Sequence, residues 1–134
     1  MILDGKKVSQ EIKNNISQDV KILKMKKIYP KLIVLLVGHS SESKIYIDMK
    51  RKMCESLGIN FQLIMINQSS PENYIIKKIK ELNDDKTVNG ILVQLPLPDN
   101  YDKQKILNSV SYEKDVDGFH TINAGKIFQN NDIN

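Results

Sequence analysis

The chain has 134 residues, of which 40% are hydrophobic and 27% are charged, as expected for one globular domain. No apolar run approaches the ~20 residues of a membrane-spanning helix, and the N-terminus lacks the apolar segment of a secretion signal. Because Cys54 is the single cysteine, no internal disulfide can form, and the composition predicts a soluble cytoplasmic protein with no membrane partner.

The formal net charge of +4 raises the alternative of a nucleic-acid-binding domain. Arg51 is the single arginine, whereas arginine is the usual residue for bidentate contacts to phosphates and bases. Lysine, asparagine and isoleucine are abundant together, which is typical of a genome rich in A and T. We therefore interpret the basic balance as mostly compositional and predict no nucleic-acid partner.

Helical and strand-like apolar patterns alternate along the chain. The run LIVLLV is continuous and rich in β-branched residues, which is typical of a strand buried on both faces. Pro96 and Pro98 forbid further pairing after the last predicted strand. Predicted helices occupy residues 4–28, 41–57, 71–82, 101–110 and 121–128, and predicted strands occupy residues 32–37, 59–66 and 88–95.

Helix ends are predicted from capping residues. Asp4 is a candidate N-cap of the first helix, and either Ser41 or Ser43 is a candidate N-cap of the second. Gly58 is predicted to end the second helix. Pro71 is expected at the first position of the third helix, where proline is favoured.

The alternation of strands and helices predicts an α/β domain with three αβα layers and a mostly parallel sheet. Ligands bind such sheets beyond the carboxyl ends of the strands, which here are residues 38–40, 67–68 and 94–96. The sequence has no GxGxxG and no P-loop, so no cofactor-binding residue is predicted in it. With two histidines, one cysteine and no HExxH or CxxC spacing, no metal site is predicted either.

Tyr46 and Lys50 are four residues apart on the second predicted helix and therefore share one face. Ser43 lies one turn earlier on roughly the same side. A partly buried lysine beside a ring that stacks on a flat ligand can act as a general base. From spacing alone, a solvated lysine beside a half-buried tyrosine is the stronger interpretation.

Two further positions carry polar groups near the predicted strand ends. Gln94 interrupts an apolar run, so it either contacts a ligand or bonds to nearby backbone, and the sequence weighs these readings evenly. Asp115 and Asp117 precede Gly118, and Asp-Gly is a common turn dipeptide. The functional alternative is a carboxylate that accepts a hydrogen bond from an amino-heterocycle.

Three segments taken together, VGHSSESKIYIDMKRKMCESLGI, GILVQLPLP and KDVDGFHTINAGKI, resemble the bifunctional methylenetetrahydrofolate dehydrogenase/methenyltetrahydrofolate cyclohydrolase family. The resemblance implies that Lys50, Gln94 and Asp117 form the catalytic set. It implies that Lys50 serves the cyclohydrolase step, that Gln94 contacts folate and positions the lysine, and that Asp117 binds the pterin ring. Tyr46 would pack on the pterin and aminobenzoyl groups. The remaining implied substrate-binding positions are Ser43, Val93 and Leu95.

The family oxidises 5,10-methylenetetrahydrofolate with NADP and hydrolyses the product to 10-formyltetrahydrofolate. The resemblance therefore implies tetrahydrofolate derivatives as substrates, NADP as the cofactor and a homodimer in full-length members. Residues 1–134 correspond to the folate-binding catalytic domain, and the family's NAD(P)-binding Rossmann domain is expected to be absent from them. A non-catalytic fragment is the alternative, and a basic nucleic-acid-binding domain is less favoured.

Overall fold

The computed structural model describes residues 4–39 and 41–129. None of the helices in this part of the chain is long and apolar enough to cross a bilayer. Helices and strands alternate as predicted. In chain order the elements are α1 (Gly5–Met25), β1 (Lys31–Val37), α2 (Ser41–Leu57), β2 (Asn60–Ile66), α3 (Glu72–Asp84), β3 (Gly90–Val93), α4 (Lys103–Ser109) and α5 (Thr121–Gln129).

The three strands form one parallel sheet in the order β2-β1-β3. β1 is central and pairs along its whole length with β2, from Lys31 opposite Asn60 to Val37 opposite Ile66. Its pairing with β3 is shorter and covers Leu32 to Leu35. Because all strands run in the same direction, their carboxyl ends lie at one edge of the sheet, as the sequence predicts for the ligand site.

Both faces of β1 are covered by helices. Leu35 packs in one core cluster with Ile79 of α3 and Ile106 of α4, whereas its neighbour Val34 packs in a second cluster with Ile47 of α2. Successive side chains of a strand point to opposite faces, so the continuous apolar run fills two cores. The predicted three-layer αβα architecture is confirmed.

The third strand is shorter than predicted at both ends. Val88 belongs to a turn, where its N–H donates to the carbonyl oxygen of Asp85. Beyond Val93, the N–H of Gln94 makes one more bond to the carbonyl oxygen of Leu35 before the pairing ends. The apolar pattern extends past these points because the flanking residues are buried by helices without belonging to the strand.

The helix ends follow the predicted capping only in part. Asp4 caps α1 by accepting hydrogen bonds from the backbone N–H groups of two following residues, and Gly58 follows α2 with a positive φ of 77°. The N-cap assignment of Ser41 or Ser43 is wrong, because both lie within α2. Pro71 is the N-cap of α3 and not its first residue.

Tyr101 fastens two segments at the carboxyl edge of the sheet. Its ring is buried, and its hydroxyl donates to the carbonyl oxygens of Gln68 at 2.7 Å and Ser70 at 2.8 Å. The segment that follows β2 is therefore tied to the segment that precedes α4. Both segments flank the region where the strands end.

Replacing Tyr101 by phenylalanine tests this tie. We expect the free energy of unfolding to fall by about 1 kcal/mol, because the part-buried hydrogen bonds from the Tyr101 hydroxyl are lost. Tyr74→Phe is the matched control, since Tyr74 is half exposed and should tolerate the same change. Urea denaturation of both variants measures the difference, and equal losses would contradict the role of the Tyr101 hydroxyl.

Candidate active site at the carboxyl edge of the sheet

A lysine and a glutamine from distant parts of the chain meet where β3 ends. Lys50 of α2 donates from Nζ to Oε1 of Gln94 at 3.0 Å. The amide nitrogen of the buried Gln94 donates to the carbonyl oxygen of Leu95 at 2.9 Å. The carbonyl oxygen of Leu95 can accept a hydrogen bond only from the amide nitrogen of Gln94. This second bond therefore leaves the amide oxygen of Gln94 facing Lys50.

Tyr46 lies one turn before Lys50 on α2, and its side chain is 58% exposed. Its ring is therefore more open to solvent than a half-buried packing residue and has a face available for a flat ligand. Cys54 lies one turn after Lys50 and is buried. Burial, assisted by the charge of Glu55, raises the pKa of the Cys54 thiol, so this group is a packing residue and a poor nucleophile.

Asp117 lies in the loop at residues 114–119, close enough to Lys50 for their charges to interact. Desolvation by the surrounding protein raises the pKa of Asp117, the positive charge of Lys50 partly lowers it, and the charge of Asp115 adds to the rise. The loop reaches this place because Asp115 forms a parallel bridge with Ile91 of β3. Lys50, Gln94 and Asp117 are thus brought to the same end of the sheet.

Ser43 is buried in the first turn of α2 and opens on an adjoining cavity of about 330 Å³. The cavity walls come from the segments that follow all three strands. They include Ser43, His39, Gln68, Pro96 and Pro98. His39 and Gln68 were not predicted as site residues, although both occupy the predicted strand ends, and that position was the available signal.

At the other two predicted positions, Val93 and Leu95, the side chains pack in the core and do not face the cavity. The side chain of Val93 is buried in the core cluster with α3 and α4, and Leu95 packs against the same cluster. The carbonyl of Leu95 orients the Gln94 amide. No group of histidine, cysteine and acidic side chains in residues 4–39 and 41–129 is arranged to hold a metal ion.

The arrangement has three chemical capabilities. The exposed ring of Tyr46 offers a stacking surface, and the Asp117 carboxyl offers a hydrogen-bond acceptor for an amine. Lys50, held by Gln94, is a positioned group that can exchange protons. Together they fit a flat heterocycle that carries amino groups and undergoes a reaction with proton transfer.

Comparison with known proteins agrees with this chemistry. Residues 3–117 match the sequence model described as tetrahydrofolate dehydrogenase/cyclohydrolase, catalytic domain. The bifunctional protein FolD of Ligilactobacillus salivarius is 46% identical over 129 residues, which cover 96% of this chain and 45% of that protein. The chain therefore spans about half the length of the curated relatives it matches.

Solved structures of similar proteins share the fold. The bifunctional FolD dehydrogenase/cyclohydrolase of Campylobacter jejuni superimposes with a TM-score of 0.93 at 41% identity, covering 99% of this chain and 47% of that one. The Trypanosoma brucei dehydrogenase-cyclohydrolase, solved with NADP and an inhibitor, gives 0.86 at 26% identity, with 95% and 43% covered. The resemblance inferred from the motifs is confirmed, and the chain belongs to the tetrahydrofolate dehydrogenase/cyclohydrolase family, whose catalytic domain it matches over residues 3–117.

Proposed function

We propose that residues 1–134 are the folate-binding catalytic domain of a bifunctional enzyme of one-carbon metabolism. The enzyme oxidises 5,10-methylenetetrahydrofolate to 5,10-methenyltetrahydrofolate and hydrolyses that product to 10-formyltetrahydrofolate. The observation that carries the proposal is the hydrogen bond between Lys50 Nζ and Gln94 Oε1, at 3.0 Å, beside Asp117 at the carboxyl edge of a parallel sheet. Family membership supports the substrate class.

In the proposed complex, the pterin and aminobenzoyl groups stack on the exposed ring of Tyr46. The Asp117 carboxylate accepts hydrogen bonds from the amino-substituted pyrimidine of the pterin. Gln94 contacts the folate and holds Lys50 toward the one-carbon bridge. Ser43 supports this wall of the site, and the backbone of Val93 and Leu95 lines it.

The hydrolytic step needs proton transfers at two atoms. Water adds to the methenyl carbon of the cationic substrate and loses a proton, which gives a neutral carbinolamine. As the bond between this carbon and N5 then breaks, N5 gains a proton and the carbinol hydroxyl loses its proton to water, which leaves the carbonyl of a formyl group on N10. Lys50 is suited to two of these transfers, because its amine accepts the first proton and its ammonium returns one to N5.

The oxidative step needs NADP to accept a hydride, as in the related enzyme that was solved with NADP. The described residues do not fit a dinucleotide site. The turn after β1 has a single glycine, Gly38, and a Cβ built there would lie 3.2 Å from Cβ of Gln68, so the turn is closely covered. We assign NADP binding to none of the described residues.

The proposal extends to the rest of the family's properties. On family membership alone, we propose a homodimeric cytoplasmic enzyme whose partners are tetrahydrofolate derivatives and neither nucleic acid nor membranes. The alternative is a non-catalytic fragment that keeps the fold and lacks the activity. Hydrolysis and ligand titration separate the two.

Lys50→Met tests the hydrolytic role of the lysine. We expect the rate of methenyltetrahydrofolate hydrolysis, followed by loss of the methenyl absorbance, to fall by about a hundredfold or more, because a proton-transfer group is removed. Lys52→Met is the matched control, since Lys52 lies two residues away and is exposed. Circular dichroism checks the fold of both variants.

Equal hydrolysis rates in the wild type and Lys50→Met would remove Lys50 from the mechanism. A folded wild type that neither hydrolyses methenyltetrahydrofolate nor binds 5-formyltetrahydrofolate in a calorimetric titration would identify the non-catalytic fragment.

Asp117→Asn tests whether this carboxylate costs stability in the ligand-free protein. The pKa of Asp117 is raised in the folded state, so its contribution to stability is present below the pKa of an unfolded aspartate and is lost as pH rises through the raised value. We therefore expect Asp117→Asn to be more stable than the wild type near neutral pH and equal to it in acid. Urea denaturation at several pH values measures this.

The same substitution should weaken the binding of 5-formyltetrahydrofolate by about tenfold, as one hydrogen bond to a charged group is lost. Asp19→Asn, at an exposed position of α1, is the control that should change neither property. A variant that binds folate as tightly as the wild type would exclude Asp117 from the site.

A further inference from the structure

The loop that carries Asp117 is anchored at its first residue. Lys114 donates from Nζ to three backbone carbonyl oxygens at the end of α3, at distances of 2.6–3.1 Å. These acceptors belong to Leu82, Asn83 and Asp85. The carbonyl oxygen of Lys114 also accepts from the N–H of Ile91 in β3 at 2.8 Å. All three ammonium protons are used, so this residue ties the loop to a helix end and to the sheet.

The carboxylate of Asp115 folds the loop back on itself. Its Oδ1 accepts from the N–H of Gly118 at 3.1 Å, and its Oδ2 accepts from the N–H of His120 at 2.9 Å and from Nδ2 of Asn123 at 3.0 Å. All three donors follow Asp117 in the chain, whereas Asp115 precedes it. One charged side chain therefore closes the turn that presents Asp117 and joins it to α5.

Val116, between the two aspartates, packs onto the sheet. A Cβ built on Gly90 would lie 2.7 Å from Cγ1 of Val116 and 3.3 Å from Cδ1 of Leu32. Val116 thus occupies the space that any larger residue at position 90 would need. The loop is held on one side by hydrogen bonds and on the other by this close contact.

From these contacts, we propose that Asp115 is a positioning residue that holds Asp117 where the ligand is bound. The inference rests on the proposed function, because it assigns to Asp117 a contact with the folate pterin. Asp115 acts through Asp117 and does not itself touch the substrate. Lys114 and the Val116–Gly90 contact fix the base of the same turn.

The two aspartates differ in what remains open to a ligand. Burial raises the pKa of Asp115, but the hydrogen bonds from Asn123, His120 and Gly118 outweigh it and leave the pKa lowered. Its carboxylate is thus ionised and already occupied by three donors. Asp117 is exposed and has room for the donors of an incoming heterocycle.

A double-mutant cycle on ligand affinity tests the proposal. We expect Asp115→Asn to weaken the binding of 5-formyltetrahydrofolate by about tenfold, the equivalent of one charged hydrogen bond. Because the effect runs through Asp117, Asp115→Asn combined with Asp117→Asn should bind no more weakly than Asp117→Asn alone. Glu113→Gln removes a charge at the exposed neighbouring acid and should leave the affinity unchanged.

Additive losses in the cycle, or an unchanged affinity in Asp115→Asn, would overturn the proposal. Asn123→Ala is a milder variant in case Asp115→Asn fails to fold, since it removes one of the three donors. Asn123→Ala should show a smaller loss of affinity for 5-formyltetrahydrofolate, and this loss should also disappear when Asp117→Asn is present.

A second measurement does not need folate. The pKa of the Asp117 carboxyl, followed by NMR, should shift in Asn123→Ala, because this variant keeps the charge of Asp115 and removes one of the hydrogen bonds that close the turn. A general loss of stability would not change this pKa in the folded protein. An unchanged pKa overturns the positioning role, whereas absence of 5-formyltetrahydrofolate binding in the wild type overturns the proposed function and is detected separately.

Discussion

The burial of β1 on both faces is the constraint on which the rest of the structure depends. A strand between two helical layers can carry no polar side chain along its length without leaving it unsatisfied, and β1 carries none from Leu32 to Val37. Polar side chains are therefore found beyond the ends of the buried strands. Parallel pairing then collects three such ends at one edge, where Gly38, Gln68 and Gln94 follow their strands.

Gln94 links the end of β3 to Lys50 and so gives the edge of the sheet a specific candidate site. An amide at the end of a buried strand must find partners or cost about 1–3 kcal/mol. Its nitrogen uses the adjacent Leu95 carbonyl, which leaves its oxygen to face α2 and accept from Lys50. The hydrogen bonding of the buried Gln94 amide thus orients Lys50, which is 44 residues away in the chain. A residue needed for local hydrogen bonding also organises the proposed proton-transfer group.

These dependencies explain what could be predicted from the sequence. The bounds of α1 and β1 were close because their periodicity is strong and local. The ends of β3 and the N-cap assignment of Ser41 or Ser43 failed, because pairing partners and helix starts are set by tertiary contacts. Spacing placed Tyr46 and Lys50 on one face but could not distinguish a site from a solvated surface. The motif resemblance supplied the partner, Gln94, and the folded chain brings it within hydrogen-bond distance of Lys50.

The pair Asp115 and Asp117 shows why residue type alone does not assign a role. Three donors stabilise the charge of Asp115, so its pKa is lowered, while Asp117 is partly desolvated and faces Asp115 as well as Lys50, so its pKa is raised. The repulsion between the two carboxylates therefore raises the pKa of Asp117, for which the described part of the chain supplies no hydrogen-bond donor. A ligand that brings amino groups to Asp117 would supply the missing stabilisation of its charge. In the proposed complex, the free energy that the fold loses at Asp117 without a ligand would be recovered on binding, which is the behaviour expected of a preorganised binding group.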